Sequence, residues 1–160
     1  MAKPLTSWLL GLLGRAKPQQ SVAQTQQSEL ELYLAASKGN NTALQQLRVR
    51  AEQGNKNAQF DLGFMYENGD GVPQDSAQAV QWYRKAAEQG YAKAQYHLGL
   101  LYRNGDGVPK ELVTAYMWFS LVAVQGIESA RTKRDSIERL MTANQIAEAQ
   151  RLIREWKPKR

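Results

Sequence analysis

At 160 residues the chain is sized for one domain, and 42% hydrophobic with 22% charged residues exclude wholesale disorder. The absence of cysteine excludes disulfides, Cys-ligated zinc, iron–sulfur clusters and thiol nucleophiles, and leaves the redox compartment open. The net charge of +6 gathers at one end: from Arg131 onward, nine basic residues (Arg131, Lys133, Arg134, Arg139, Arg151, Arg154, Lys157, Lys159, Arg160) stand against four acidic ones. Such an end attracts phosphate backbones, anionic lipid or an acidic partner. Without interleaved aromatics it reads as a solvated helix face and a frayed tail rather than a nucleic-acid site.

Residues 1–27 read as a flexible N-terminal segment with a short amphipathic stretch. Leu5, Trp8, Leu9, Leu12 and Leu13 fall on one helical stripe, flanked by Lys3, Arg15 and Lys17. The apolar run is about half the ~20 residues needed to span a bilayer. Three readings stay open: a helix on a membrane surface or in a partner's groove, a helix folded back on its own domain, and a cleaved signal ending near Ser21-Val22-Ala23. Arg15 and Lys17, between the apolar run and the cut, oppose the last. The Gln-rich stretch from Lys17 to Gln27 reads as a linker, so the domain proper is expected to begin near Ser28.

Residues 28–50 read as degenerate N-terminal capping helices. Ser28 and Glu31 have capping-box spacing, and Leu30, Tyr33 and Leu34 stripe a first helix that Gly39-Asn40 ends; a second runs from about Asn41 to Gln53 with Leu44 and Leu47 inward.

The next two units, 51–86 and 87–122, are repeats. Ala51-Glu52-Gln53-Gly54 returns 36 residues later as Ala87-Glu88-Gln89-Gly90, Leu62-Gly63-x-x-Tyr66 as Leu98-Gly99-x-x-Tyr102, Asn68-Gly69-Asp70-Gly71-Val72-Pro73 as Asn104-Gly105-Asp106-Gly107-Val108-Pro109, and Trp82 as Trp118. A fixed period in this range signals stacked supersecondary units, each too small to bury its own apolar face. Each repeat reads as a helical hairpin. In the first, helix A spans about Lys56 to Asn68 with Ala58, Leu62 and Tyr66 on one face. Helix B spans about Asp75 to Gln89 with Ala79, Trp82, Tyr83 and Ala86 inward. Glycines 69 and 71 serve the reversal, Asp75 caps helix B, and Gly54, Gly90 and Gly126 are left-handed stops one period apart. Gly63 and Gly99 sit mid-helix, where glycine costs about 1 kcal/mol against alanine. A neighbouring side chain, taken as the Trp of helix B, is therefore expected against bare backbone.

After Gly126 the pattern weakens. Residues 123–156 read as a degenerate third unit with a C-terminal capping helix: Ile127, Ala130, Ile137 and Met141 hold the register of one helix to Met141, but Arg134 and Asp135 replace Leu-Gly. Thr142 and Gln145 form a capping box before a last stripe of Ile146, Ala149, Ile153 and Trp156, and residues 157–160 are a basic tail.

The motif Ala-Glu-Gln-Gly, Ala-Gln-x-x-Leu-Gly-x-x-Tyr, Asn-Gly-x-Gly-Val-Pro and Ala-x-x-Trp-Tyr/Phe, present twice between residues 51 and 122, resembles the Sel-one-like repeat, close kin to the tetratricopeptide repeat. The resemblance implies an all-α protein, a right-handed α/α superhelix of helical hairpins, acting as a bacterial adaptor or scaffold for other proteins. It also transfers the groove-facing positions of helix A onto Asn57, Phe60, Phe64, Glu67 and Asn68, then Lys93, Tyr96, Leu100, Arg103 and Asn104, then Ser129, Thr132, Ser136 and Arg139. This surface is aromatic in its middle and more basic toward the C-terminus, which suits a peptide, helix or partner domain with acidic residues at one end.

The chain offers no constellation for chemistry. His97 is the only histidine and stands where the first repeat has Asp61; a lone histidine without cysteine cannot build a zinc site, so it reads as a surface or groove residue. The Asn68-Gly69-Asp70-Gly71 loop lacks the alternating oxygen ligands of a calcium loop and reads as turn geometry. The sequence therefore assigns no catalytic residue, no metal and no cofactor. It points to a non-enzymatic interaction module, expected in the cytoplasm. The alternative is a membrane-surface structural or regulatory factor held by Leu5 to Leu13 with the basic tail as second signal.

Overall fold

The computed structural model describes the backbone of residues 22–159 and the side chains of 28–159. Within them lie eight α-helices and no strand: α1 (Val22–Ser37), α2 (Asn41–Glu52), α3 (Lys56–Asn68), α4 (Ser76–Glu88), α5 (Ala92–Asn104), α6 (Leu112–Ala123), α7 (Glu128–Glu138) and α8 (Ala143–Glu155). The stripe of Leu5, Trp8, Leu9, Leu12 and Leu13 lies outside the described residues. Among those residues no helix is long and apolar enough to cross a membrane.

From α1 to α7 consecutive helices pack against one another, with the hairpins α3–α4 and α5–α6 the two full repeats. Their core is the repeated frame. Leu47, Tyr83 and Phe119, one period apart on α2, α4 and α6, are all fully buried, as are Ala58 with Ala94 and Leu62 with Leu98. The register thus reaches back into α2, which is the second helix of a worn first unit.

Repetition also governs the polar ties between units. Buried Gln59 and Gln95 each send Nε2 to a carbonyl in the last turn of the preceding helix, Ala51 at 2.9 Å and Ala87 at 3.1 Å. Each carbonyl also accepts the amide of the glycine that stops its helix, Gly54 at 3.1 Å and Gly90 at 2.9 Å, so the recurring Gln of the Ala-Gln motif supplies a further donor to a helix-end carbonyl. Likewise Arg48 donates to the Tyr66 hydroxyl at 3.1 Å and Arg84 to that of Tyr102 at 2.6 Å.

The Asn-Gly-Asp-Gly loops close identically. The amides of Gly69 and Asp70 both donate to the Met65 carbonyl, and those of Gly105 and Asp106 to Leu101. Gly69 and Gly105 take left-handed caps at φ 77° and 85°. The second glycine of each loop does more than turn. A Cβ on Gly71 would stand 2.2 Å from the Ala36 carbonyl oxygen, and one on Gly107 2.3 Å from the Ser76 carbonyl carbon, so each loop lies on the backbone of an earlier unit.

Several expectations need correction. The first helix begins at Val22, so Ser28 lies inside α1 and the linker does not extend to Gln27. The ring beside Gly63 is Tyr83 and the one beside Gly99 is Phe119, not the tryptophans; a Cβ would stand 2.6 Å and 3.0 Å from them. Trp82 instead lies half-buried under Lys85, whose Nζ is 4.3 Å from the ring.

The third unit is not a hairpin, because α8 packs on α6 rather than on α7. No helix-B ring therefore meets the old Leu-Gly position, and Arg134 and Asp135 pair there with each other at 2.7 Å. Covered by α5, α7 and α8, α6 is buried at every residue from Ala115 to Ala123. The helix expected to reach Met141 ends at Glu138. The Thr142–Gln145 capping box forms as expected.

Finally, the tail is not frayed. The Lys159 amide donates to the Glu88 carbonyl at 2.7 Å and its Nζ pairs with the Glu88 carboxylate at 2.8 Å, while Trp156 sets its ring edge-on to buried Trp118.

Candidate functional site

Side chains of helix A that change from repeat to repeat meet on the face built by α1, α3 and α5. Spacing of three to four residues puts Asn57, Phe60, Asp61 and Phe64 along one side of α3, and Lys93, Tyr96 and His97 along α5. Phe60 is the hub. Its ring centroid lies 5.5 Å from those of Tyr83, Tyr91 and His97 and 6.2 Å from that of Phe64.

Two open cavities flank this hub. The first, about 240 Å³, is apolar: Phe60, Tyr96, His97, Val122 and Ile127 line it, with Lys93 and Ser129 adding polar atoms. The second, about 330 Å³, is polar, and lies among Glu29, Tyr33, Asn57, Asp61, Tyr91 and Lys93.

Electrostatics divide the two. Glu29 is buried on α1, and its carboxylate accepts from Asn55 Nδ2 at 2.9 Å and Asn57 Nδ2 at 2.8 Å. The Asp61 carboxyl makes no hydrogen bond among the described residues. Burial, and then the charge of Glu29, push its carboxyl up to about 7 against a partly compensating Lys93. Burial, then Asp70 and Asp61, raise the Tyr33 hydroxyl, and burial, then Asp61 and Glu29, raise that of Tyr91.

Under the first cavity sits a carboxylate–phenol–imidazole cluster. Glu67 Oε2 accepts from the Tyr83 hydroxyl at 2.5 Å and lies 3.0 Å from His97 Nδ1. Burial raises the Glu67 carboxyl, but the hydrogen bonds from His97 and Tyr83 outweigh it and hold it below its ordinary value. Burial and the Glu67 carboxylate drive the Tyr83 phenol far up, so it stays a donor. This cluster ties α3, α4 and α5 together. The next repeat has none, because Arg103 and Phe119 replace Glu67 and Tyr83.

Of the sequence-assigned face, the structure brings together Asn57, Phe60, Lys93 and Tyr96, with Ser129 from α7 beside them. Phe64 packs edge-on to Tyr33, and Leu100 against the core of the C-terminal half. Glu67 is committed to its cluster. Asn68 and Asn104 serve their own surroundings, the Phe64 carbonyl and the Asp106 carboxylate. Arg103 is half-buried at the position of Glu67, and Arg139 is the exposed cap after α7. The groove positions transferred by the resemblance include neither Asp61 nor His97, although the two occupy one repeat position with different residues, the signal that marks Phe60 and Tyr96. Glu29 gave no signal, being a polar residue in a stretch without repeat.

An array of helical hairpins with a repeated core frame and a variable face defines an α/α repeat protein, a class whose members generally act as protein-interaction scaffolds and are typically non-catalytic. Residues 56–91 and 92–126 each match the Sel1 repeat family. The chain is thus an α/α solenoid carrying two tandem Sel1 repeats. It is similar to c5321, a protective antigen present in uropathogenic Escherichia coli strains and displaying an SLR fold, with a TM-score of 0.72 and 31% identity over 83% of this chain and 31% of that one. It is also similar to a Sel1 repeat protein from Oxalobacter formigenes, with a TM-score of 0.60 and 40% identity over 67% of this chain and 43% of that one. The chain therefore spans less than half the length of either. No curated protein matches it.

Proposed function

We propose that this protein is a non-enzymatic adaptor that holds a segment of a partner protein along the face of α1, α3 and α5. One observation carries the reading: three helix-A positions that differ between the repeats, Asn57/Lys93, Phe60/Tyr96 and Asp61/His97, line two adjoining open cavities around Phe60. Aromatic side chains with room beside them are the groups on which interface energy concentrates.

Site-specific photocross-linking in cells tests it. A photoreactive phenylalanine analogue replaces Tyr96 in one variant and exposed Gln46, on α2, in another. The expected result is a discrete adduct from position 96, absent from position 46 and lost when Phe60→Ala is added. Adducts from position 46 alone would move the working surface elsewhere.

A further inference from the structure

We propose that the segment held on this face carries a basic side chain, lysine or arginine, beside an apolar one, the basic group entering between Asp61 and Tyr91 and the apolar group entering the cavity of Phe60, Tyr96 and Val122. The inference rests on the adaptor reading and adds the chemistry of the occupant.

The cavities are near enough to be filled by neighbouring residues of one peptide. Phe60 belongs to the first and Tyr91 to the second, and these rings touch edge-on with centroids 5.5 Å apart; Lys93 borders both. Side chains one or two positions apart on an extended strand, about 3.4–7 Å along the chain, reach both sides of that wall.

Charge then decides which group goes where. Glu29 is satisfied by two asparagine amides, but the carboxyl of half-buried Asp61 has no donor among the described residues, and Lys93 does not approach within 4.0 Å of it. An ammonium or guanidinium placed there donates to Asp61 and screens it from Glu29. It also lies against tyrosine, a cation's favourable neighbour: Lys56 Nζ already stands 6.0 Å from the Tyr91 centroid. An acidic side chain in the same space would add a third negative charge to Glu29 and Asp61. The acidic residues expected from sequence belong to the more basic C-terminal end of the face; at this end buried Glu29 from α1, outside the repeats, calls for a basic group.

Selection of random linear dodecapeptides displayed on phage against the full chain tests the proposal. The expected peptides pair Lys or Arg with Leu, Ile, Met or Phe within two positions. Changing that basic residue to Glu should weaken binding at least about tenfold. Asp61→Asn should weaken the parent peptide similarly, and Lys93→Gln should tighten it a few-fold by removing the competing cation. The peptide reversal keeps the test intact should a protein variant fold poorly. Peptides lost on Phe60→Ala or Tyr96→Ala but neutral or acidic, or indifferent to Asp61, would overturn the basic-group assignment and leave the adaptor reading standing. Peptides indifferent to Phe60 and Tyr96, or no enrichment at all, would overturn both.

Discussion

The ring of Tyr83 lies against the backbone of Gly63, so near that a Cβ on that glycine would stand 2.6 Å from Cδ1 and 2.7 Å from Cε1. The glycine gives up helix propensity so that α3 and α4 approach closely enough for Tyr83 to bury its ring and still reach Glu67.

Gly63→Ala is therefore expected to destabilise by about 1–3 kcal/mol, the clash outweighing the ~1 kcal/mol gain in helix propensity. Gly99→Ala should cost less, because Phe119 stands at 3.0 Å and makes no corresponding hydrogen bond. Urea unfolding of the two variants gives the order, and a Gly63→Ala protein at least as stable as wild type would refute the packing argument.

The Tyr83 hydroxyl is predicted to be worth about 1–3 kcal/mol, since Tyr83→Phe leaves the part-buried Glu67 carboxylate short of one donor. Glu67 is held below its ordinary pKa, so the native state binds fewer protons than the unfolded chain. Its stabilisation is present above the unfolded value of 4.5 and is lost as pH falls through the lower native value. Tyr83→Phe should therefore show its fullest deficit near neutrality and a smaller one in acid, checked by denaturant melts across pH.

Asp61 acts with the opposite sign and in another window. Its carboxyl is raised from 3.8 to about 7, so between those values the native state keeps a proton that the unfolded chain has released. Stability falls as pH rises through that range, by at most about 4 kcal/mol at 1.36 kcal/mol per unit. The facing groups are Glu29 from α1, Lys93 from α5 and the hydroxyls of Tyr33 and Tyr91. Asp61→Asn should be more stable than wild type at pH 8 and lose the decline between about pH 4 and 7. An unchanged slope would show that Asp61 is ionised throughout.

The C-terminal strap offers a test by contrast. Trp156→Ala removes a half-buried ring from Trp118 and from the backbone at Gly90, and should cost about 1.5–3 kcal/mol. Lys159→Ala breaks an ion pair whose lysine is 69% exposed, and should cost under about 1 kcal/mol. Equal effects in thermal melts would mean that the ion pair, not the ring, holds the tail.

The hairpins of residues 51–122 were legible because their information is local and stated twice. Helix bounds at Lys56 and Asn68, the Asp75 cap and the glycine stops all follow from backbone sterics and capping chemistry, and one repeat corroborates the other. The variable face was legible in part, since Asn57, Phe60, Lys93 and Tyr96 differ between repeats while the frame does not. What only the tertiary structure decided comes from outside the repeat. Glu29 on α1 turns one end of the face acidic, α8 settles on α6 and removes any need for Leu-Gly in the third unit, and Lys159 returns to Glu88 across 71 residues. Each depends on charge or area brought together by packing distant segments, and no periodicity along the chain encodes such a meeting.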